Sequence, residues 1–196
     1  MADARMSRSS RNRDEKLLIS GMYNLLYPIA AGVRERGYGS RDFRSDNALF
    51  TGGGTKGAQL PPDFRETIFD TFALSKERAY QFYSMQELNT VFPCCSANRY
   101  HIAPWVLALP LDAPGETMLD TSAGEIEGRA AFFDLALEGR WGGIITGDRV
   151  NLDFGRCACG KEGPTVGLDI QRYADLEGGD KISCAGTIDA YVRGEA

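Results

Sequence analysis

Residues 48–57 read Ala48-Leu-Phe-Thr-Gly-Gly-Gly-Thr-Lys-Gly57, a short apolar run that enters a glycine-rich loop. A buried strand followed by a loop is the natural interpretation, because glycine adopts the backbone conformations that tight turns need. Residues 78–83 form the next apolar strand. Between the two strands, Pro61-Pro62 opens a helix whose inward positions are Phe64, Ile68, Phe69 and Phe72. This alternation of strand and helix predicts a parallel sheet.

The rest of the chain divides into segments that differ in composition and in the spacing of their apolar residues. Residues 1–13 are rich in Arg and Ser, and we expect a flexible lead-in there. From residue 14 the chain has an apolar residue at helical spacing as far as Val33, which predicts one long helix that stops at Gly37. After Pro93, strands separated by Gly and Pro are predicted over 101–109, 129–135, 143–146, 150–154 and 165–170.

We therefore predict an α/β chain in which part of a parallel sheet with helices is followed by a β-rich section. The α/β section covers residues 14–92, the antiparallel β-rich section covers 93–170, and a terminal segment covers 171–196.

The composition limits the classes of partner. The 27 acidic residues outnumber the 22 basic ones, which argues against nucleic acid or an anionic membrane surface and favours a small ligand. The sequence has neither an apolar run of the roughly 20 residues that a bilayer requires nor a signal-peptide pattern, so we expect a cytoplasmic protein. In that compartment the five cysteines are expected to bind metal or to pack rather than to form disulfides.

The glycine loop admits more than one interpretation. Gly52-x-Gly54-x-x-Gly57 matches the dinucleotide-binding fingerprint, and a Rossmann-type oxidoreductase is one hypothesis for this chain. Residues 58–62 separate the last glycine from the helix, however, and a Rossmann loop leads directly into its helix. A glycine turn without a ligand is the alternative.

Two carboxylates follow predicted strands. Glu87 lies just after Tyr83, at the end of a strand where a ring can stack on a base and a carboxylate can hold magnesium. Asp148 follows Thr146-Gly147, where it can accept both hydrogens of a ribose diol. The plainer alternatives are a core tyrosine with a helix-start glutamate, and an aspartate of a β-turn.

The motifs taken in order resemble those of the adenylate-forming superfamily. The series is Gly-Gly-Gly at 52–54, Tyr-x-x-x-Glu at 83–87, Thr-Gly-Asp at 146–148, Cys-x-Cys-Gly-x-x-Gly-Pro at 157–164, and Arg-x-x-Asp at 172–175. The similarity is greatest to phenylacetate-CoA ligases, the acyl-protein synthetases of luminescence and the adenylating proteins of phenazine biosynthesis. The resemblance implies the later portion of a large adenylating domain, in which a carboxylic acid and ATP give acyl-AMP and pyrophosphate.

The resemblance also implies a place for the adenosine. Gly52, Gly53 and Gly54 match the loop that packs against adenine. Tyr83 matches the aromatic residue that stacks on adenine, and Asp148 matches the acceptor for the ribose diol.

For the phosphates, the resemblance implies a second group of residues. Glu87 matches the carboxylate that coordinates Mg²⁺, and Arg172 matches an arginine that contacts ribose or phosphate. Lys181 matches the basic residue that follows it. Gln86 stands where the family usually has a threonine that holds phosphate, and Gln171 replaces the usual glycine before Arg172.

Two parts of the family pattern have no counterpart. Nothing before Leu49 resembles the phosphate-gripping loop, and no lid with its lysine follows Gly186. We therefore expect a fragment, a split enzyme whose second chain supplies the phosphate loop, or a degenerate relative that only binds nucleotide. An exposed sheet edge would also permit a homodimer.

The acid and its acceptor stay open at this stage. CoA, a carrier-protein thiol and Cys184 are the possible acyl acceptors, with plain packing as the alternative role of Cys184. An aromatic acid is expected by analogy with the phenazine branch.

The remaining cysteines and the single histidine form a candidate metal site. Cys157 and Cys159 lie on a glycine turn, and the resemblance brings that turn near Cys94-Cys95 and His101. One sulfur from the cysteine pair, the two from the turn and the imidazole would make a structural Cys3His zinc site, with Cys95 as the chosen member of the pair. The alternative is buried cysteines with a histidine bonded to a backbone carbonyl.

Overall fold

The computed structural model describes residues 15–52, 59–139 and 141–176. The chain divides into two compact units, Met1–Phe82 (unit 1) and Tyr83–Ala196 (unit 2). Gly53, Gly54, Lys181 and Cys184, together with the lead-in at 1–13, lie outside the described residues. Within the described part of the chain, none of the helices has the length and apolar character needed to cross a membrane.

Unit 1 is built on parallel strands and two helices. In chain order its elements are β1 (Leu18–Ser20), α1 (Tyr23–Glu35), β2 (Ala48–Gly52), α2 (Phe64–Thr71) and β3 (Ala79–Tyr83), the last residue of β3 falling in unit 2. The strands run parallel in the order β1–β2–β3, with Leu49 opposite both Ile19 and Ala79. The predicted parallel sheet with helices is confirmed.

The core of unit 1 lies between this sheet and the helices. The buried members are the central strand residue Leu49, residues of α1 at i, i+3, i+7 and i+10 spacing, and Ile68 of α2 with Phe72 just after it, as expected for elements that each bury one face. They are Tyr23, Leu26, Ala30, Val33, Leu49, Ile68 and Phe72. Burial of a valine, leucine, isoleucine or phenylalanine side chain among them contributes about 1.5–3 kcal/mol.

The single helix predicted from residue 14 is wrong in its first part. Residues 18–20 instead form β1, paired with Ala48–Phe50, and the helix begins only at Tyr23. Pairing with a buried neighbouring strand outweighs the helical spacing of a few apolar residues, which periodicity alone does not reveal. The predicted stop is confirmed, since α1 ends at Glu35 and Gly37 has a φ of +81° that favours glycine.

Gly52 has a packing role at the end of β2. It stands opposite Phe82 in the parallel register, and a Cβ at Gly52 would lie 2.5 Å from Cε2 of the Phe82 ring. That ring packs in turn against Phe50 and Tyr80, with centroid distances of 4.8 and 5.9 Å. The absence of a side chain at Gly52 therefore makes room for an aromatic group on the outer face of the sheet.

We expect Gly52→Ala to destabilise the protein by about 1–3 kcal/mol, because the new methyl group displaces the Phe82 ring from its neighbours. Thermal unfolding measures the effect. Gly39→Ala is the matched control, because a Cβ at Gly39 meets nothing within 4 Å and its φ of −170° is open to any residue. Equal melting temperatures for the two variants would contradict this packing role.

Unit 2 is a β-rich unit with an antiparallel sheet. Its strands are β4 (Phe92–Pro93), β5 (Arg99–His101), β6 (Val106–Leu111), β7 (Glu125–Asp134), β8 (Gly143–Asp153), β9 (Thr165–Gly167) and β10 (Gln171–Arg172). The sheet order is β5–β9–β8–β7–β6, and β10 pairs with β8. The predicted antiparallel section is confirmed.

Two strand boundaries in unit 2 differ from the prediction. The strand predicted over 101–109 is split, because residues 102–105 make a turn in which the Val106 N–H donates to the Ala103 carbonyl at 2.9 Å. The strands predicted over 143–146 and 150–154 are one strand, β8. Gly147, predicted to follow the end of a strand, lies inside a bulge of β8.

The bulge is an irregularity in the pairing of the two longest strands. Between Arg129 and Ala131 of β7 the register shifts, so residues 146–148 of β8 stand opposite Ala130 alone. Bulges re-aim side chains out of the regular alternation of a sheet. Asp148 was expected at a strand end. It lies instead in the middle of β8, inside the bulge, where the direction of a side chain does not follow the regular alternation of the strand.

The core of unit 2 is formed by alternate residues of β7, β8 and β9 and by a group of aromatic rings. Its buried members are Tyr83, Leu88, Phe92, Tyr100, Ile102, Val106, Ala130, Phe132, Val150, Leu152 and Val166.

Candidate functional site

The carboxylate of Asp148 receives a hydrogen bond from the core of unit 2. The Tyr83 hydroxyl donates to Asp148 Oδ2 at 2.6 Å, a short distance typical of a bond to a charged acceptor. The Tyr83 ring is only 4% exposed and packs against Phe92, Tyr100 and Phe132 at centroid distances of 5.9, 6.0 and 6.3 Å. A buried ring thus holds one oxygen of the carboxylate in place.

Arg172 approaches the same carboxylate from the neighbouring strand. Strand β10 is antiparallel to β8 and sets Arg172 directly opposite Asp148. The Arg172 Nε atom lies 4.0 Å from Asp148 Oδ1, and the Arg172 and Asp148 side chains are 34% and 16% exposed. Three residues singled out in the sequence therefore meet at one place.

The Tyr83–Asp148–Arg172 group retains capacity to bind. A carboxylate offers about four acceptor positions, and one hydroxyl bond with one loose ion pair does not fill them. A pair of adjacent hydroxyls is a suitable further donor for such a group.

The bulge that carries Asp148 is fixed by hydrogen bonds of its own. The Thr146 hydroxyl donates to the Ala130 carbonyl at 2.7 Å and accepts the Asp148 N–H at 3.1 Å. Arg129 Nη1 donates to the Thr146 carbonyl at 2.9 Å. Sequence reasoning missed Arg129, although a lone arginine within the apolar run of β7 was a visible signal.

The structure also locates the other residues expected around the nucleotide. Gln86 and Glu87 are exposed in the turn after Tyr83. That turn is anchored by the Asn89 N–H, which donates to the buried Asp134 carboxylate at 3.0 Å. Coordination of magnesium by Glu87 stays a prediction, as does stacking of the Tyr83 ring on adenine. The burial of Tyr83 matches the alternative of a core tyrosine.

A second group of side chains comes together at two turns of unit 2. One turn follows β4, where the Cys95 N–H donates to the Arg99 carbonyl at 2.9 Å and Asn98 has a φ of +58°. The other is closed by the Gly160 N–H, which donates to the Cys157 carbonyl at 2.8 Å. Gly160 has a φ of +89°, a conformation that side chains rarely adopt, so glycine is required there.

The ligand atoms of Cys95, His101, Cys157 and Cys159 all lie within 4.8 Å of one another; we call this group the Cys3His cluster. The Cys95 and Cys157 sulfurs are 3.8 Å apart, and Cys159 Sγ is 3.3 Å from His101 Nε2. Zinc–sulfur bonds of about 2.3 Å give sulfur separations of about 3.8 Å around a tetrahedral ion. The donor types and their spacing therefore fit zinc, and Cys95 rather than Cys94 joins the group.

The protonation of the cluster residues follows from their surroundings. Burial lowers the pKa of His101, and the charges of Lys161 and Arg99 lower it further, which favours the neutral imidazole that binds metals. Burial alone would raise the pKa of Cys95, but hydrogen bonds from backbone groups and neighbouring thiols outweigh it and lower the pKa. A backbone hydrogen bond from Cys159 lowers the pKa of Cys157, whereas burial and the adjacent thiols raise it, with a net increase.

Comparison with known proteins gives a relative and a fold. No family model matches the sequence. The long-chain-fatty-acid–luciferin-component ligase of Aliivibrio fischeri is 34% identical over 105 residues, which cover 51% of this chain and 27% of that protein. The solved structure of an open conformation of 2-hydroxyisobutyryl-CoA ligase, in complex with 2-HIB-AMP and CoA, has a TM-score of 0.56 at 16% identity. The chain is thus similar to parts of two ligases, to the first in sequence and to the second in fold.

The chain spans less than half the length of each of these two proteins. It covers 27% of the luciferin-component ligase, while the match to 2-hydroxyisobutyryl-CoA ligase covers 86% of this chain and 38% of that one. The N-terminal subdomain of Klebsiella oxytoca NpsA, in complex with 3-hydroxyanthranilyl-AMSN, reaches a TM-score of 0.42 at 8% identity, over 82% of this chain and 44% of that one. That similarity is too low to define a shared fold.

Proposed function

We propose that this chain supplies a nucleotide-binding part of a ligase that activates a carboxylic acid with ATP as acyl-AMP. The observation that carries the proposal is the convergence of Tyr83, Asp148 and Arg172 at the β8 bulge. These residues come from distant parts of the sequence and are three of those that the family resemblance assigned to adenosine or phosphate binding.

In the proposed mode of binding, Asp148 accepts both hydrogens of the ribose cis-diol. The Tyr83 hydroxyl bond fixes the rotamer of Asp148 before the ligand arrives, which reduces the entropy lost on binding. Arg172 is close enough to balance the carboxylate charge and exposed enough to reach a ribose or phosphate oxygen.

The proposed reaction is the adenylation of a carboxylic acid. A carboxylate oxygen of the acid attacks the α-phosphorus of ATP, the bond to the bridging oxygen breaks, and pyrophosphate leaves with the electron pair. Magnesium, when bound, supplies charge stabilisation on the phosphates, for which we propose Glu87 as ligand with Gln86 beside it. Lys181 and the glycines Gly52, Gly53 and Gly54 are proposed as a phosphate contact and as the adenine loop.

The names of the relatives bear on the acid and on the acceptor of its acyl group. The solved relative holds 2-HIB-AMP together with CoA, and the curated relative is named for a long-chain fatty acid. We propose by analogy that the complete protein transfers its acyl group from AMP to CoA or to a carrier-protein thiol. Release of pyrophosphate on addition of candidate acids identifies the acid.

A separate proposal concerns the Cys3His cluster. We propose that it holds a zinc ion, with Cys95, His101, Cys157 and Cys159 as the four ligands. Because four protein ligands complete a tetrahedral shell, such an ion has no open position for water and serves the fold rather than the reaction.

A thermal-shift experiment tests nucleotide binding. AMP at 100 times its Kd should stabilise the protein by about 2.7 kcal/mol. Asp148→Ala removes the acceptor of the diol and should weaken AMP binding about 30-fold, equivalent to about 2 kcal/mol, so the same AMP concentration stabilises the variant by only about 1 kcal/mol. Binding of 2′,3′-dideoxy-AMP should be weak in the original protein and unchanged by the substitution.

Asp153→Ala is the matched control for this experiment. Asp153 lies on the same strand as Asp148, and its carboxylate accepts the Gly155 N–H at 2.8 Å. AMP should stabilise this variant as it does the original protein. An unchanged melting curve with AMP would refute nucleotide binding by this chain, whereas AMP binding without acid-dependent pyrophosphate release would indicate a nucleotide-binding partner of a second chain.

A further inference from the structure

Arg129 is a charged residue placed in the interior of unit 2. Its side chain belongs to the middle of β7, and the residue is only 2% exposed. Burial of a guanidinium costs free energy unless its N–H groups find acceptors. The groups that Arg129 contacts therefore indicate its role.

One arm of the guanidinium supports the bulge. Arg129 Nη1 donates to the carbonyl of Thr146 at 2.9 Å, at the point where residues 146–148 leave the regular ladder. The Thr146 hydroxyl, in turn, accepts the Asp148 N–H. Arg129 therefore fixes Thr146, whose hydroxyl accepts the backbone N–H of Asp148.

The flat face of the same guanidinium packs against the residue that follows β10. The Arg129 Cζ atom lies 4.2 Å from the centroid of the Tyr173 ring, a cation–π distance. Tyr173 follows Arg172 directly and begins the short helix after β10. One side chain thus contacts elements on both sides of the Asp148–Arg172 pair.

A third contact fixes the guanidinium itself. Arg129 Nε and Nη2 donate to the Ala113 carbonyl at 2.9 and 2.6 Å. Ala113 lies in a turn closed by the Asp112 carboxylate, which accepts the Glu116 and Thr117 N–H groups at 2.8 and 3.1 Å. The guanidinium is therefore held by a turn that is internally bonded.

We infer that Arg129 is a positioning residue for the ribose site: it sets the spacing of Asp148 and Arg172 by joining the Thr146 carbonyl to the Tyr173 ring. The inference rests on the proposed function, because a ribose is the ligand that such spacing would serve. A planar group with donors along one edge and a stacking face is needed for both contacts at once, and a lysine ammonium offers neither.

Arg129→Lys tests the inference because it keeps the charge and removes the geometry. Arg149→Lys is the matched control: Arg149 stands opposite Arg129 in the β7–β8 register, adjoins Asp148, and has its guanidinium 3.1 Å from Glu127 on the exposed surface. Amide hydrogen exchange is measured first, without ligand. Exchange at residues 146–148 and 172–173 should accelerate at least tenfold in Arg129→Lys and stay unchanged in Arg149→Lys, while β5 and β9 keep their protection in both.

Ligand binding then separates positioning from general stability. Arg129→Lys should weaken AMP binding about tenfold and leave the weak binding of 2′,3′-dideoxy-AMP unaltered. In an Asp148→Ala background, the same substitution should have no further effect on AMP affinity, because Arg129 acts through Asp148.

The outcomes distinguish the two proposals. Faster exchange at the bulge without AMP binding by the original protein would contradict the proposed function and, with it, the role of Arg129 at a ribose. Diol-dependent AMP binding that Arg129→Lys leaves intact, or equal weakening of AMP and 2′,3′-dideoxy-AMP, would overturn the inference alone. Unaltered exchange at residues 146–148 would overturn it regardless of nucleotide.

Discussion

Removal of the zinc that we propose for the Cys3His cluster should cause the largest loss of stability in this protein. Binding of structural zinc to small peptides is worth about 10–16 kcal/mol near neutral pH, and even part of that free energy exceeds the stability of many domains. We expect a strong chelator, or Cys157→Ser, to lower the melting temperature by more than about 10 °C. Metal analysis of protein purified without chelator should give about one equivalent of zinc per chain.

Cys94→Ser is the control for the cysteine substitution. Cys94 adjoins Cys95 but lies outside the Cys3His cluster. Its variant should keep both the zinc content and the melting temperature of the original protein. Zinc below about a tenth of an equivalent, or a chelator without effect on unfolding, would show that the four side chains only pack together.

The size of this effect depends on the segments that the cluster joins. Cys95 lies on the turn between β4 and β5, His101 ends β5, and the other two sulfurs lie on the turn after β8. These turns are far apart in sequence, and the cluster residues are at most half-buried apart from Cys157. An ion bound by both turns would close the long loop between them.

Phe132→Ala should produce the second large effect. Phe132 is 1% exposed and lies between the rings of Phe92 and Tyr83, with centroid distances of 5.2 and 6.3 Å. Truncation of a fully buried phenylalanine costs about 3–5 kcal/mol, which corresponds to a fall of about 10 °C in melting temperature. The cavity also removes support from Tyr83, so binding of AMP at a temperature where the variant is folded should weaken.

The neighbouring Phe133 provides the comparison. Successive residues of a strand point to opposite faces, and Phe133 packs against the exposed Trp141 at 5.0 Å rather than in the core. Phe133→Ala should therefore cost much less stability and leave AMP binding unchanged. Equal losses in the two variants would contradict the described face of β7.

The general architecture could be predicted because its signals are local. Glycine and proline punctuation separated the strands, and the apolar spacing of residues 64–72 indicated α2 with Ile68 at its buried centre. The start of α1 could not be predicted, because β1 exists only through pairing with β2, a contact 30 residues away. Short strands of that kind have no periodicity of their own to recognise.

For the candidate site, the residues could be predicted but their contacts could not. Tyr83, Asp148 and Arg172 were found through the order of the motifs, and their meeting is a matter of tertiary structure. The hydrogen bond from the Tyr83 hydroxyl to Asp148 was not foreseen, because the sequence offered either a ring that stacks on a base or a core tyrosine, and neither interpretation gives the hydroxyl a partner. A lone arginine in the apolar run of β7 was visible, but its place beside the bulge could not be predicted, since its hydrogen-bond acceptors are backbone carbonyls, which carry no residue signature.

The β8 bulge does not change which side chains of β8 face the core. Because the register moves by two residues across it, the parity of the strand is preserved: Ile144 packs on the core before the bulge, as Val150 and Leu152 do after it. Deletion of one residue within 146–148 would turn one arm of β8 inside out, whereas deletion of two would restore a plain hairpin. The sheet could thus form without the bulge that carries the proposed ribose site.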